Sequence, residues 1–265
     1  MRIDRRGCRF GLVLHSLCKG GDAVARYVIK FGGTSVAGPD RLYRAAEKLA
    51  DVRREGHEVM GVLSARAGDT DALLARAREI DPRAEGRELD ALLATGEQFS
   101  VSLCALALRR LGVPAVGLSG WQAGILTDSV YGNARVLGLA KTRILRELQK
   151  GKIVLVTGFQ GTDRNENTTT LGRGGSDTTA VALAAFLKAD QCMICTDVDG
   201  VYDKDPAEYP DAVKYDRLSY DRMLELCHGG ARVLHDRSVE LAKEYSVPLL
   251  VCSSFKNVPG TLIEP

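Results

Sequence analysis

Two stretches of the chain set glycines between an apolar run and a following helical pattern. The first is Ile29-Lys30-Phe31-Gly32-Gly33-Thr34-Ser35, and the second is Thr168-Thr169-Thr170-Leu171-Gly172-Arg173-Gly174-Gly175-Ser176-Asp177. Glycine lets backbone N–H groups approach an anion with no Cβ in the way, and a helix N-terminus adds the positive end of its dipole. Lys30 stands where its strand ends, so its ammonium can reach the same anion. Two anion-cradling loops in one chain, with Lys30 and Arg173 as cations, point to a polyphosphate. Each loop taken alone reads equally as a tight strand-to-helix turn, with Ser176 or Asp177 as an N-cap; the weight comes from having both. Neither loop has the P-loop spacing, and Gly172-Arg173-Gly174-Gly175 lacks the full dinucleotide fingerprint.

Other chemistries find less support. His15, His57, His228 and His235 have no ligand spacing, so no protein-held metal is expected. Cys192 and Cys195 sit three apart in an apolar run that reads as a strand, where they face opposite ways, and no second pair completes a zinc site. The seven cysteines, Cys8, Cys18, Cys104, Cys192, Cys195, Cys227 and Cys252, are an odd number in apolar contexts. Buried thiols in a reducing cytoplasm account for them better than a disulfide framework.

The elements that must position these loops alternate. Tyr27–Phe31, Glu58–Leu63, Ile153–Val156, Met193–Thr196 and Pro248–Cys252 read as buried strands, with Val113–Leu118 and Gly124–Leu126 as further pieces. Arg41–Arg54, Asp71–Ile80, Glu88–Leu111, Thr142–Gln149, Ser176–Leu187 and Ala231–Tyr245 read as helices, with Gly56, Gly112 and Gly151 as stops. The polar, Gly-rich stretch from Gly158 to Gly175 reads as a loop. Such alternation predicts an α/β fold, a three-layer αβα sandwich around a mainly parallel sheet, in one domain with two lobes.

The chain has 265 residues, 36 basic and 34 acidic, for a net charge of +2. That balance argues against nucleic acid or an anionic membrane as a partner held by bulk charge. The basic excess sits in residues 1–26, where Arg2, Arg5, Arg6, Arg9, Lys19 and Arg26 face only Asp4 and Asp22. Residues 1–26 read as a flexible extension rather than a signal peptide, because His15 and Ser16 cut the apolar Phe10–Leu14 run short. No apolar run reaches the ~18 residues a membrane span needs.

Four separated motifs carry a family resemblance: Lys30 to Val36, Thr95-Gly96-Glu97, Thr168 to Thr179, and Thr196-Asp197-Val198-Asp199-Gly200-Val201-Tyr202. Together, over Tyr27 to Ile263, they resemble the catalytic domain of aspartate kinases within the amino acid kinase family. The resemblance implies an amino acid kinase fold over residues 27–265 and ATP-dependent phosphorylation of the side-chain carboxylate of L-aspartate, with Mg²⁺ carried mainly on the ATP phosphates. It implies that Lys30 neutralises the transferring phosphoryl group, that Gly32 and Gly33 donate to the phosphates with Ser35 beside them, and that Asp177 organises the centre around Lys30. It places Ser64, Thr70, Glu97, Arg173, Gly174, Gly175 and Ser176 around the amino acid, with Glu97 on its ammonium and Arg173 on a carboxylate. It places Thr196, Asp197, Tyr202, Asp205 and Arg232 on the nucleotide.

Two positions depart from the family pattern. Ala207 stands after Asp205-Pro206 where the family commonly has an arginine, and Arg232 stands where it has a lysine; Lys204 or Arg232 is expected to restore the cation. After Ile263 only Glu264 and Pro265 follow, whereas most aspartate kinases continue into ACT regulatory modules. A separate ACT-type regulatory chain and a homodimer are therefore the partners left open. So are two rival functions, a kinase for another small amino acid and a nucleotide-binding subunit without turnover.

Overall fold

The computed structural model describes residues 24–265. The extension expected over residues 1–26 lies outside the described residues except for Val24 to Arg26, as do Cys8, Cys18 and His15. Arg26 already belongs to the fold: it opens the first strand, and its Nε donates to Glu58 Oε2 at 2.7 Å.

In chain order the elements are β1 (Arg26–Phe31), α1 (Pro39–Arg54), β2 (Glu58–Leu63), α2 (Asp69–Ile80), α3 (Gly86–Leu93), α4 (Thr95–Arg110), β3 (Ala115–Leu118) and α5 (Gly120–Ala123). There follow β4 (Ile125–Thr127), β5 (Val136–Leu139), α6 (Thr142–Gln149), β6 (Ile153–Thr157), β7 (Gln160–Thr162), β8 (Thr168–Thr170) and α7 (Gly175–Leu187). The remainder is β9 (Gln191–Thr196), β10 (Arg217–Ser219), α8 (Tyr220–His228), α9 (Asp236–Tyr245), β11 (Leu249–Ser253) and β12 (Thr261–Glu264). Eight strands make one sheet in the order β10-β12-β11-β9-β1-β2-β6-β3, parallel throughout except where β12 runs against β11 and carries β10 with it. A second sheet of four strands, β5-β4-β7-β8, forms the smaller lobe.

Strand alternation divides the core in two. Tyr27, Ile29 and Phe31 of β1 point to one face, where they pack with Leu42 and Leu49 of α1 and with Val101, Cys104 and Leu108 of α4. Val28 points to the other, against Ala180, Val181, Ala184 and Leu187 of α7. Lys30 shares the parity of Val28 and so emerges on the α7 face, at the carboxyl end of the strand. β1 is also the strand from which the chain leaves toward β2 on one side and beside which it later returns as β9. In open α/β sheets such a switch point, at the carboxyl ends, is where ligands bind.

The structure differs from the sequence expectation at three places. The helix expected over Glu88–Leu111 is two, broken at Ala94, whose carbonyl oxygen accepts from the buried side chain of Gln160 at 2.8 Å. The expected loop from Gly158 to Gly175 contains the β7–β8 hairpin, whose buried Thr169 hydroxyl bonds that of Thr127 on β4 at 2.6 Å. The helix expected from Ala231 begins only at Asp236, after a turn through Gly230 at φ +102°. Helix α8 and strands β10 and β12 complete the end of the chain that the sequence pattern left unassigned. The stretch Gly86–Arg110 is apolar and long enough to cross a membrane, but it contains the Ala94 break and buries α4 against α1 and the sheet, so core packing accounts for its hydropathy.

Candidate active site

One cavity of about 260 Å³ opens at the carboxyl edge of the sheet. Lys30, Ser64, Thr70, Glu97, Gly174, Gly175, Ser176 and Asp177 all line it, joined by Ala65, Phe159 and Gly172. The end of β1, the loop after β2, the first turn of α4 and the N-terminus of α7 thus meet where the sequence reading grouped them.

Lys30 and Asp177 face one another across the sheet-to-helix contact, with Nζ 2.6 Å from Oδ1 and only 11% of either side chain exposed. The separation is that of a charge-assisted contact between an ammonium and a carboxylate. Both side chains line the cavity. Burial in low dielectric makes each charge dependent on the other.

Glu97 supplies the second feature. It is 3% exposed, and its Oε1 accepts from the Ala65 N–H at 3.0 Å, while Oε2 is buried with no partner. Burial pushes its carboxyl up to about 7, against the lowering effect of the Ala65 bond. A buried carboxylate oxygen with no donor is costly unless a ligand supplies one. A small cationic donor, an ammonium above all, fits that position.

The glycines are required by space as well as by conformation. A Cβ on Gly33 would lie 2.8 Å from Ala65 O, and one on Gly174, which has φ +67°, would lie 2.3 Å from the His235 side chain. A Cβ on Gly32 would stand 3.5 Å from Lys30 Nζ, in the space an anion on that ammonium would use. One expectation is corrected: the Gly32 N–H is directed at Cys195 O at 3.3 Å, because the loop continues the β1–β9 ladder for one more residue. Gly33, which opens a 3₁₀ turn through Val36, keeps the N–H of a helix start, where no intrahelical acceptor exists.

The expected nucleotide residues lie outside this cavity, toward and beyond the end of β9. Thr196 Oγ1 donates to Asp197 Oδ1 at 3.0 Å, and the Tyr202 hydroxyl donates to Asp199 at 2.7 Å. Asp205 caps the Ala207 N–H at 2.9 Å, and Arg232 is exposed. Ser35 is 2% exposed and shares a 2.5 Å hydrogen bond with Ser254, which ties the first loop to the end of β11 and uses its hydroxyl structurally. Lys204 is paired with Asp211 at 2.7 Å in an exposed ion pair. Arg173 is exposed between Gly172 and Gly174, with no hydrogen bond or ion pair among the described residues.

Sequence reasoning missed Phe159, which lines the cavity at φ +68° with its N–H bonded to Thr179 Oγ1 at 3.1 Å. It also missed Arg237, whose guanidinium bonds Leu171 O at 3.0 Å and Ala134 O at 3.1 Å beneath the second loop. No motif marks either, since each acts through tertiary contacts. Among the described residues no three His, Cys, Asp or Glu side chains gather as a metal-ligand set.

This is an α/β fold with a small, charge-lined cavity at the carboxyl edge of its sheet. Comparison with known proteins is narrower: residues 25–253 match the amino acid kinase family, and the chain belongs to that family. It is 51% identical over 237 residues to aspartokinase 2 of Bacillus subtilis, covering 89% of this chain and 58% of that protein. The structure is similar to that of aspartate kinase from Synechocystis, with TM-score 0.81 and 41% identity over 91% of this chain and 40% of that one. It is also similar to E. coli aspartokinase III in complex with aspartate and ADP, with TM-score 0.81 and 30% identity over 90% of this chain and 64% of that one. The chain spans about 58% of the length of the curated relatives it matches.

Proposed function

We propose that residues 27–265 form the catalytic domain of a kinase that transfers the γ-phosphoryl group of ATP to the side-chain carboxylate of L-aspartate, giving 4-phospho-L-aspartate and ADP. The observation that carries this reading is the unpartnered, buried Oε2 of Glu97 in the same small cavity as the Lys30–Asp177 pair. One end of the cavity wants an ammonium, and the other offers one.

Glu97 would take the α-ammonium of the amino acid and Arg173 a carboxylate, the latter as a bidentate pair. The acceptor carboxylate, with a pKa near ~4, is already a nucleophile at neutral pH, so no general base is required. Catalysis then reduces to aligning two anions and screening their repulsion. Lys30, oriented by its ion pair with Asp177, and the Gly33 N–H would screen the transferring group. Thr196, Asp197, Tyr202 and Arg232 would hold the nucleotide. Mg²⁺ would ride on the ATP phosphates and supply further screening of their charge. Cytoplasmic residence belongs to the same reading. The similarity to aspartokinases, one of them in complex with aspartate and ADP, supports aspartate as the acceptor.

Hydroxylamine trapping with Mg-ATP tests it, with aspartate, glutamate, threonine and homoserine supplied separately and ADP release followed in parallel. Hydroxamate from aspartate alone is expected. ADP release without hydroxamate would replace the acyl phosphate with a hydroxyl acceptor or idle hydrolysis. Neither signal, with ATP binding seen by thermal shift, would leave a nucleotide-binding subunit.

A further inference from the structure

Asp90 is a buried acid that the reaction above does not use. It is 1% exposed on α3, and no Lys, Arg or His pairs with it among the described residues. Its Oδ2 accepts from the Thr170 N–H at 2.6 Å and the Gly132 N–H at 3.0 Å, and its Oδ1 accepts from Thr170 Oγ1 at 3.0 Å. A polar side chain buried this far is costly unless its acceptors are satisfied, and these three donors satisfy both oxygens.

What those donors belong to gives the arrangement its meaning. Thr170 is the last residue of β8, and the chain passes from it through Leu171 into the Gly172–Asp177 turn that lines the cavity. Gly132 lies directly beneath that turn: a Cβ on Gly172 would stand 3.0 Å from Gly132 O. Asp90 itself sits in the last turn of α3, whose closing helical bond runs from the Ala94 N–H to the Asp90 carbonyl oxygen at 3.0 Å, at the break from which α4 carries Glu97 into the cavity. Gln160, 2% exposed, ties the same break to the small sheet through Ala94 O at 2.8 Å.

We infer that Asp90 is a positioning residue for the amino-acid half of the site, a strut that sets the distance between Glu97 and the Gly172–Asp177 turn. The inference rests on the aspartate reading for its kinetic consequence but not for its structural one. The nucleotide side, built on β1 and β9, meets this strut only through the Asp177–Lys30 pair at the far end of the turn. Loss of the strut acts on the amino acid more than on the nucleotide.

Asparagine is the informative replacement. Its carbonyl oxygen can accept both N–H groups, while its amide donates to the Thr170 hydroxyl oxygen, so all three contacts survive without the charge. Asp90→Ala leaves three donors unsatisfied. In full-length protein, Asp90→Ala is expected to raise KM for aspartate about 10- to 100-fold with KM for ATP within about twofold, since small misplacements of a reacting group are expensive. Asp90→Asn is expected to restore most of the loss. Thr170→Val, which removes only the hydroxyl contact, is expected to show a weaker rise in the same constant, and it serves if Asp90→Ala does not fold. Amide hydrogen exchange needs no substrate: residues 168–176 and 131–135 are expected to exchange faster in Asp90→Ala or Thr170→Val, with β1 unchanged and Asp90→Asn near wild type. Unchanged exchange in both segments, an equal rise in both KM values, or an asparagine variant as impaired as alanine would overturn the strut. Wild-type protein that makes no hydroxamate would refute the aspartate reading, and the exchange pattern would then decide the strut alone.

Discussion

Lys30 Nζ stands 2.6 Å from Asp177 Oδ1, one from the penultimate residue of the central strand β1 and the other from the first turn of the helix packed on it. Neither charge has another opposite partner within ion-pair distance among the described residues. Breaking such a pair by removing one side strands the other, which typically costs about 3–5 kcal/mol. Lys30→Ala is therefore expected to abolish turnover and to lower stability by roughly 3 kcal/mol, and Asp177→Asn to do likewise. The double change Lys30→Met with Asp177→Asn is expected to recover most of the stability and none of the turnover. Denaturant melts beside ADP release check both parts; a double variant as unstable as the singles would show that the pair is not the source of the loss.

Glu97 makes the site sensitive to pH in two opposite ways. Burial raises its carboxyl from the ordinary 4.5 to about 7, so the folded protein binds this proton more tightly than the unfolded chain does. The favourable contribution is fully present below pH 4.5 and is lost as pH rises through about 7. Without ligand, Glu97→Gln is thus expected to stabilise the protein on the alkaline side of 7, by on the order of 3 kcal/mol, and to have little effect near pH 4.5. Binding of an ammonium needs the ionised form, so KM for aspartate is expected to rise roughly tenfold per pH unit below 7. A flat pH profile for KM in wild type, or a sloping one retained in Glu97→Gln, would remove Glu97 from the ammonium.

Much of this was legible before the structure, and the parts that were not share a cause. Strands β1 and β2 and helix α7 are marked by runs of apolar residues and by the glycines that follow or precede them, which local pattern suffices to place. Glu97 sits in a helix whose periodicity runs on from Glu88, and nothing local announces the break at Ala94. That break depends on Gln160, which is distant in sequence and donates to the Ala94 carbonyl. The β7–β8 hairpin reads as loop because its stabilising contacts are threonine hydroxyls rather than apolar faces, and Ser35 reads as a ligand-facing hydroxyl because Ser254 lies far along the chain. Tertiary partners of polar groups decide these cases, and no window of sequence contains them.

Arg173 is exposed and has no ion pair or hydrogen bond among the described residues, in contrast to Lys30. Its removal has no contact to break, so Arg173→Ala is expected to leave stability within about 0.5 kcal/mol of wild type. If it holds a substrate carboxylate, KM for aspartate is expected to rise by about 10- to 100-fold, in line with roughly 1.5–3 kcal/mol for a charge-assisted bond. Arg173→Lys keeps the charge but not the planar fork, and is expected to fall between the two. Steady-state kinetics with aspartate varied at saturating ATP checks it, and an alanine variant with unaltered KM would leave the second loop with a purely conformational role.

The nucleotide side separates two cations that the sequence treats as equivalent. Lys204 Nζ is 2.7 Å from Asp211 and 5.3 Å from the Tyr209 ring centroid, so the side chain is already committed within its own loop. Arg232 is exposed and carries no such partner among the described residues. If either replaces the cation absent at Ala207, it is Arg232. Arg232→Ala is expected to raise KM for ATP about tenfold, equivalent to one charge-assisted hydrogen bond of roughly 1.4 kcal/mol, while Lys204→Ala leaves it unchanged. Arg232→Lys is expected to recover part of the loss, because phosphate accepts a point charge as well as a fork. ATP-dependent ADP release at saturating aspartate distinguishes the two residues; equal, unaltered KM values in both alanine variants would mean that Lys30 and the Gly33 N–H screen the phosphates without a further side chain.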